Sequence, residues 1–293
     1  MAKGRIIKAL SGFYYVQTDH GVYQCRGRGL FRNQNINPLV GDFVEFDIKN
    51  DMEGYLITIK KRSNELVRPP IANVDRAFII SSAVEPSFSA LLLDRFLVLI
   101  ESKGIEPVII ISKIDVLSPE DKLIIDSYAS AYQDIGYKVE LVSSKEPFDI
   151  KGVEEYFSEG VSVIAGQSGV GKSSLLNALK PELKIKTDHI SKSLGRGKHT
   201  TRHVELLQLF GGLVADTPGF SALEFNEVEL EDLGECFPEI RERKGECKFR
   251  GCMHNKEPKC AVKAAVQQGE ISQFRYDHYL SFFEEIQSRK PRY

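Results

Sequence analysis

From residue 4 to residue 62 apolar and polar residues alternate in short runs, GRIIKAL, GFYYVQTD, GVYQCRGRG, VGDFVEFDI and GYLITIKKR, punctuated by Gly, Asn and Asp. Side chains on a strand point to opposite faces in turn, so this period-two pattern, rich in Tyr, Phe, Val and Ile, predicts five short strands. Five strands in about 60 residues predict a small β-barrel of the oligonucleotide-binding (OB) type. ELVRPPIANVD follows and reads as a Pro-Pro linker. Beyond it the period changes. AFIISSA (77–83), PVIIIS (107–112), YKVELVSS (137–144) and VSVIA (161–165) are continuous apolar runs of strand length. Between them LLLDRFLVLIESKG and DKLIIDSYASAYQDIG repeat apolar residues at helical spacing and stop at Gly104 and Gly136, and DIKGVEEYF reads as a short helix. Strands alternating with helices predict a mainly parallel sheet covered on both faces. LFGGLVADTPG (209–219) adds at least one more strand, and the tail predicts helices at EVELEDLGECF and FRYDHYLSFFEEIQ on either side of a Cys-rich segment. The resulting division is a barrel over 1–64, an α/β domain over 65–223 and a helical module over 224–293.

Composition and charge narrow the function. The 293 residues are 42% hydrophobic and 27% charged, with no apolar run long enough for a membrane span, and the basic N-terminus lacks a cleavage signal for secretion. A cytoplasmic protein without a membrane role, acting as a monomer, is the expectation. The net charge of −2 conceals an asymmetry. Residues 1–62 carry +4 and residues 241–293 carry +5, leaving −11 for the middle. Basic ends around an acidic centre put contact with a polyanion at the ends. In the barrel, Tyr14, Tyr15, Phe31, Arg26, Arg28 and Arg32 are candidates for base stacking and phosphate contact, although half of such aromatics must fill the core.

The chemistry begins at AGQSGVGKS (165–173). Gly166, Gln167, Ser168, Gly169, Val170, Gly171, Lys172 and Ser173 fit G-x-x-x-x-G-K-[ST] between a strand and the helix KSSLLNALK, with Ser174 next in the nucleotide-binding run. Glycines there let backbone N–H groups face phosphate oxygens, Lys172 bridges the β and γ phosphates, and the Ser173 hydroxyl ligates Mg²⁺. Asp216 ends the strand before Thr-Pro-Gly219, where a second Mg²⁺ contact and an N–H to the γ-phosphate belong. The polar stretch LGRGKHTTRH (194–203) has the character of a switch loop, with Thr200 or Thr201 completing the metal shell. Ser112, Lys113, Ile114 and Asp115 follow the strand PVIII, at the end of a parallel strand where ligands bind. Asp115 there can accept from the N1–H and exocyclic amine of guanine, a donor pair that adenine lacks, so GTP is the expected nucleotide. Lys113 packs along the base, and Ser143, Ser144 and Lys145 form a clamp on the guanine oxygen. Phe220 occupies the position after DTPG where many GTPases orient water with Gln, so turnover without help should be slow, and His199 is the candidate for the missing polar group.

The tail holds Cys247-x₄-Cys252-x-His254-x₅-Cys260, three thiols and one imidazole that suit a closed tetrahedral Zn²⁺ site of structural use. Lys248, Arg250, Lys256, Lys259 and Lys263 surround it, a pattern suited to an RNA backbone. Cys25 and Cys236 remain as ordinary half-buried thiols.

GQSGVGKS, GRGKHTTRH, DTPGF and the Cys cluster together resemble the ribosome small-subunit-dependent GTPase A family (RsgA), over the whole chain. Guanine readers that precede the phosphate loop mark a circularly permuted GTPase domain. The resemblance implies an OB barrel, that permuted domain and a helical zinc module, with zinc at the four matching positions. It also implies that the chain binds the small (30S) ribosomal subunit and its rRNA, assists late subunit maturation, and hydrolyses GTP to GDP faster on the subunit, with hydrolysis driving release. Ser112 stands where the family's motif begins with Asn or Thr, which implies a weaker clamp on guanine. Two alternatives are a non-catalytic zinc-bearing RNA-binding protein with a structural GTP site, and a permuted GTPase serving another RNA or a membrane. Because DTPGF runs directly into the tail, hydrolysis is expected to shift the zinc module.

Overall fold

The computed structural model describes residues 1–27, 31, 36–50, 52–143, 152–183, 204–216 and 224–289, with the backbone alone at Asp216. Five strands form the N-terminal barrel: β1 (Ala2–Leu10), β2 (Phe13–Thr18), β3 (Gly21–Gly27), β4 (Phe43–Asn50) and β5 (Glu53–Ile59). They run in the order β1-β2-β3-β5-β4, and β4 closes on β1 through Ala2↔Phe46 to Arg5↔Phe43. Closure leaves no free edge among them and turns Ile6, Val16, Cys25, Val44, Phe46 and Leu56 inward, each at most 1% exposed. Strand β1 carries a bulge between Ile6 and Lys8. Below the bulge β1 pairs with β4, and above it Lys8 pairs antiparallel with Glu205 of a strand in the α/β domain.

The expected linker is instead a packed hairpin of β6 (Glu65–Val67) and β7 (Pro70–Ala72). Ile71 and Ala72 are fully buried, because the two prolines turn the chain back instead of extending it. Asp42, wholly buried, accepts from Leu39 N (2.7 Å) and from Nε and Nη2 of Arg62 (2.8 Å each). Gly41 sits at φ +93° with its α-carbon so close to Ala72 that a β-carbon would lie 1.9 Å from the Ala72 carbonyl oxygen. Any side chain at 41 would push the barrel off the hairpin.

The α/β domain contains β8 (Arg76–Ser82), α1 (Ala90–Glu101), β9 (Glu106–Ser112), α2 (Pro119–Asp134), β10 (Lys138–Val142), β11 (Val161–Ala165), α3 (Lys172–Leu179), β12 (Glu205–Leu209) and β13 (Gly212–Asp216). The strand order is β10-β9-β8-β11-β13-β12, parallel throughout except for β12. The segment near 209–219, where at least one strand was expected, contributes β13 and the end of β12, paired as a hairpin. The continuous apolar runs bury both faces. Ala77, Ile79, Ile109, Ile111 and Val163 join one core, and Phe78, Ile80, Val108, Ile110 and Ile164 join the other. Helices start where the sequence offers caps. Ser89 Oγ accepts from Leu92 N, and Ser118 Oγ accepts from Asp121 N ahead of Pro119.

In the tail, EVELEDLGECF is a 3₁₀ segment (Leu230–Cys236), where an α-helix was expected. Helices α4 (Ala261–Gln267) and α5 (Gln273–Gln287) follow. Helix α5 docks on α1 through a buried polar node. Asp94 of α1, fully buried, accepts from Arg275 Nη1 (2.5 Å) and Tyr132 OH (2.6 Å) and contacts His278 Nδ1 (2.6 Å). Arg275 also donates to Glu239 (2.6 Å), and its guanidinium lies 4.5 Å from the centre of the Phe237 ring. Arg95–Glu285, Lys103–Glu227 and Arg241–Glu101 ring this node nearer to solvent. Cys25 and Cys236, expected half-buried, are at most 3% exposed, and burial pushes their thiols up to about 11 and about 12. Among the described residues no helix is long and apolar enough to cross a membrane.

Removing one partner of a buried ion pair strands the other's charge, at a cost of roughly 3–5 kcal/mol. Asp94→Ala is therefore expected to lower the unfolding free energy by that amount in urea titration. Lys60→Ala, which removes the exposed 2.6 Å bridge to Glu45, should leave the urea midpoint nearly unchanged.

Candidate functional site

The phosphate loop joins β11 to α3 with Gly166, Gly169 and Gly171 at φ +139°, +86° and +96°. Successive turns through that region bring backbone N–H groups round one hollow at a helix N-terminus, the geometry of an anion nest. Gly166 has a second reason to be glycine: a β-carbon there would lie 2.3 Å from the Ile80 carbonyl oxygen of β8. Lys172 opens α3 and folds back over the loop, its ammonium donating to the carbonyls of Gly166 (2.8 Å) and Gln167. It is 8% exposed, and burial pushes it down to about 8. Ser173 is also 8% exposed, Ser174 is half-buried, and Gln167, Ser168 and Gly169 face solvent.

The second limb comes from the carboxyl end of β9. Ser112 Oγ donates to the Val170 carbonyl at 2.6 Å and lies 3.8 Å from where a β-carbon on Gly171 would sit. The residue that departs from the family pattern therefore ties the suspected guanine reader to the phosphate loop. Lys113 takes a left-handed backbone (φ +65°) and its ammonium donates to the Glu85 carbonyl. Ser82, 2% exposed, shapes that acceptor by donating to Glu85 O (3.0 Å) while accepting from Val84 N. Ile114 and Asp115 follow in a 3₁₀ turn, with Asp115 solvent-exposed, and Ser143 is buried at the end of β10. Ser82 and Glu85 carry no motif, and only the fold sets them beside Lys113. A cleft lined by Ser82, Pro86, Phe88, Leu92, Phe96, Gln167 and Val170 runs from the phosphate loop to α1.

Ser144, Lys145, His199, Thr200, Thr201, Gly219, Phe220 and the side chain of Asp216 lie outside the described residues, as do Arg28 and Arg32. Of the remaining barrel candidates, Phe31 is buried, Tyr14 and Tyr15 are half-buried, and Arg26 is exposed with its guanidinium 4.8 Å from the Phe13 ring centre.

The four tail ligands converge. Sγ of Cys247, Cys252 and Cys260 and a ring nitrogen of His254 all lie within 4.8 Å of one another. Cys247 and Cys260 sulfurs are 3.9 Å apart, and His254 Nδ1 is 3.4 Å from Cys260 Sγ. A tetrahedron with metal–sulfur bonds of ~2.3 Å has S···S edges of about 3.8 Å, so the donor set fits one metal ion. Tyr276 OH donates to His254 O and Tyr279 OH to Met253 O, both at 2.7 Å, so helix α5 holds the ligand loop. Glu257 accepts from Met253 N and Asn255 N. Those tyrosines lie 22 and 26 residues from the groups they hold, beyond any local sequence signal. Burial raises the Cys252 thiol to about 12 and lowers His254, so a cation must supply the energy that keeps thiolates there. Lys248, Arg250, Lys256 and Lys259 are exposed round the cluster, while Lys263 donates to Asn255 O (3.2 Å).

A family model described as the RsgA GTPase matches residues 59–226, and another described as the RsgA N-terminal domain matches residues 3–56. The chain is 66% identical to the small ribosomal subunit biogenesis GTPase RsgA 2 of Oceanobacillus iheyensis, with 100% of each covered. It is 59% identical to the small ribosomal subunit biogenesis GTPase RsgA of Bacillus subtilis, again with 100% of each covered. Among solved structures, that of YloQ, described as a circularly permuted GTPase, matches with a TM-score of 0.87 at 55% identity, covering 100% of this chain and 97% of that one.

Lys172 loses its proton in the folded chain as pH rises through about 8, and with it the charge that a phosphate needs. GDP affinity measured by calorimetry is expected to be level below pH 7 and to fall by up to about tenfold per unit above pH 8. Chelation, or Cys252→Ser, should release one metal ion per chain and open residues 244–268 to protease while leaving the nucleotide site able to bind GDP.

Proposed function

The chain belongs to the RsgA family of GTPases, and on that premise we propose that it binds the small (30S) ribosomal subunit and assists its late maturation by hydrolysing GTP. The observation that carries this reading is full-length identity to relatives named for small-subunit biogenesis, together with an intact phosphate loop whose lysine is poised over it. The loop from Gly166 to Ser174 wraps the phosphates, and Lys172 bridges β and γ. Ser173 and Asp216 hold Mg²⁺, which neutralises charge developing on the phosphate oxygens. Asp115 reads guanine, Ser112 keeps that reader against the phosphate loop, and Ser143, Ser144 and Lys145 close over the base. Thr200, Thr201 and Gly219 meet the γ-phosphate. Phe220 cannot orient water, so His199 does so once the subunit orders its loop.

The metal in the Cys₃His cluster is Zn²⁺, and its role is structural: four protein ligands leave no open position for chemistry. The zinc module and the barrel hold rRNA, a reading supported by the exposed bases round the cluster and the +4 and +5 charge of the two ends. Domain limits at 64/65 and 223/224, a monomeric state and a cytoplasmic setting complete the proposal. Hydrolysis drives release. The cleft from Gln167 and Val170 to Leu92 and Phe96 gives the route, because α1 carries the Asp94 node on which the tail is docked. A shift of the zinc module therefore takes α1 with it.

GTP turnover with and without purified small subunits tests the reading. A large stimulation is expected, and His199→Ala should remove on the order of 10²-fold of it, the contribution of one well-placed proton-handling group. Absence of any turnover would instead favour a zinc-bearing RNA-binding protein with a structural GTP site.

A further inference from the structure

Among the described residues the barrel and the nucleotide sheet form one hydrogen-bonded surface, β1 meeting β12 at the pair Lys8↔Glu205. Lys8 of β1 stands opposite Glu205, the first residue of β12, and Glu205 stands opposite Asp216, the last residue of β13. A row Lys8–Glu205–Asp216 thus crosses three strands, a span of about 10 Å at the usual strand spacing. Its far end is the aspartate assigned to Mg²⁺, and its near end is the barrel. Asp42 and Gly41 meet β1 at Ile6, beside the bulge, Ile6 N donating to Asp42 O (2.9 Å) and Gly41 N to Ile6 O (2.7 Å), and Gly41 packs against Ala72 of the 65–72 hairpin, the barrel's other contact with this domain. The pairing of β1 with β4 ends at Arg5↔Phe43, where β4 begins, and beyond the bulge between Ile6 and Lys8 the strand's upper limb meets β12. An extra residue of this kind commonly bends the strand that carries it.

The side chains repeat the connection. Lys8 Nζ lies 2.8 Å from Glu205 Oε2, and the two side chains are 31% and 39% exposed. A half-exposed pair of this kind adds little to stability, too little to explain its place as the sole ladder contact of β1 with β12 among the described residues. It is, however, enough to bias a register. Sliding β12 along β1 would carry Asp216 with it, because β12 and β13 are paired over all five residues from Glu205↔Asp216 to Leu209↔Gly212.

We propose that Lys8 and Glu205 are positioning residues for GTP hydrolysis, transmitting engagement of the barrel by RNA through β12 to Asp216. Rotation or tightening of the barrel on its RNA pulls on Lys8, and the Glu205 row moves the strand end that carries the metal-side aspartate. This inference rests on the RNA-dependent reading of the barrel given above.

The test uses the full-length chain and purified small subunits, and the readout is the ratio of stimulated to basal GTP turnover. Lys8→Glu places two carboxylates in contact and should cut that ratio at least about fivefold, the lower end of ordinary coupling between sites. The exchanged pair, Lys8→Glu with Glu205→Lys, should restore it to within about twofold. Restoration distinguishes coupling from direct RNA contact, since position 8 is still acidic in the double variant. A Lys8→Glu ratio equal to that of the unaltered chain, or a double variant no better than the single, would overturn the inference while leaving the proposed function intact. An unaltered chain that small subunits do not stimulate would instead remove the premise, and both would fall.

Discussion

Asp94 holds the tail in place. It is a carboxylate with no access to water, in the middle of a helix whose other residues are almost all aliphatic. Such a charge is tolerable only if donors surround it, and Arg275, Tyr132 and His278 do so from two other helices. Arg275 is in turn satisfied only because Glu239 and the Phe237 ring close its other side. Apolar surfaces of α1 and α5 could slide past each other at little cost, whereas this set of directional bonds admits one arrangement. The tail module is therefore built onto the helix that follows β8, and its Cys₃His loop inherits that placement through Tyr276 and Tyr279.

This arrangement gives the permuted order a mechanical meaning. In sequence the tail follows β13, the strand that ends at Asp216. In space it rests on α1, whose N-terminal end borders the cleft shared with the phosphate loop. The barrel attaches on the other flank, through β1 and β12. The two basic ends of the chain thus reach the acidic nucleotide domain from separate sides, each through a small polar contact that can be biased without unfolding either partner. A nucleotide domain of net negative charge would repel an RNA backbone, so in the proposed reading RNA contact falls to the flanking modules.

The nucleotide site shows the same economy of backbone contacts. Ser112 is short for its task, yet its hydroxyl reaches the Val170 carbonyl because β9 ends directly against the phosphate loop. Lys113 is held by a carbonyl on the 82–86 turn, a segment that contributes no recognisable motif. The 112–115 turn is consequently tied to the phosphate loop through the Val170 carbonyl and to the 82–86 turn through that of Glu85.

Much of this was legible in the residues. Period-two alternation set out the five barrel strands, because half-buried strands must alternate, and buried apolar runs set out the parallel sheet. The phosphate loop and the four metal ligands were legible because their chemistry requires particular side chains at short, fixed spacings. The errors have a common physical origin. Pro69 and Pro70 look like a linker to any local rule, but Ile71 and Ala72 are buried by contact with residues near 40, some thirty positions away. Cys25 and Cys236 gave no local sign of complete burial, which depends on what the fold lays over them. Asp94 and Arg275 each look like surface charges on amphipathic helices, and they become a buried pair only when helices 181 residues apart meet. Most strands and helices, and the side chains suited to phosphate and metal, follow from local periodicity and covalent chemistry and can be read along the chain. How the three parts are joined, through Gly41 against Ala72, Lys8 against Glu205 and Asp94 against Arg275, rests on contacts between residues far apart in sequence, which no local pattern reaches.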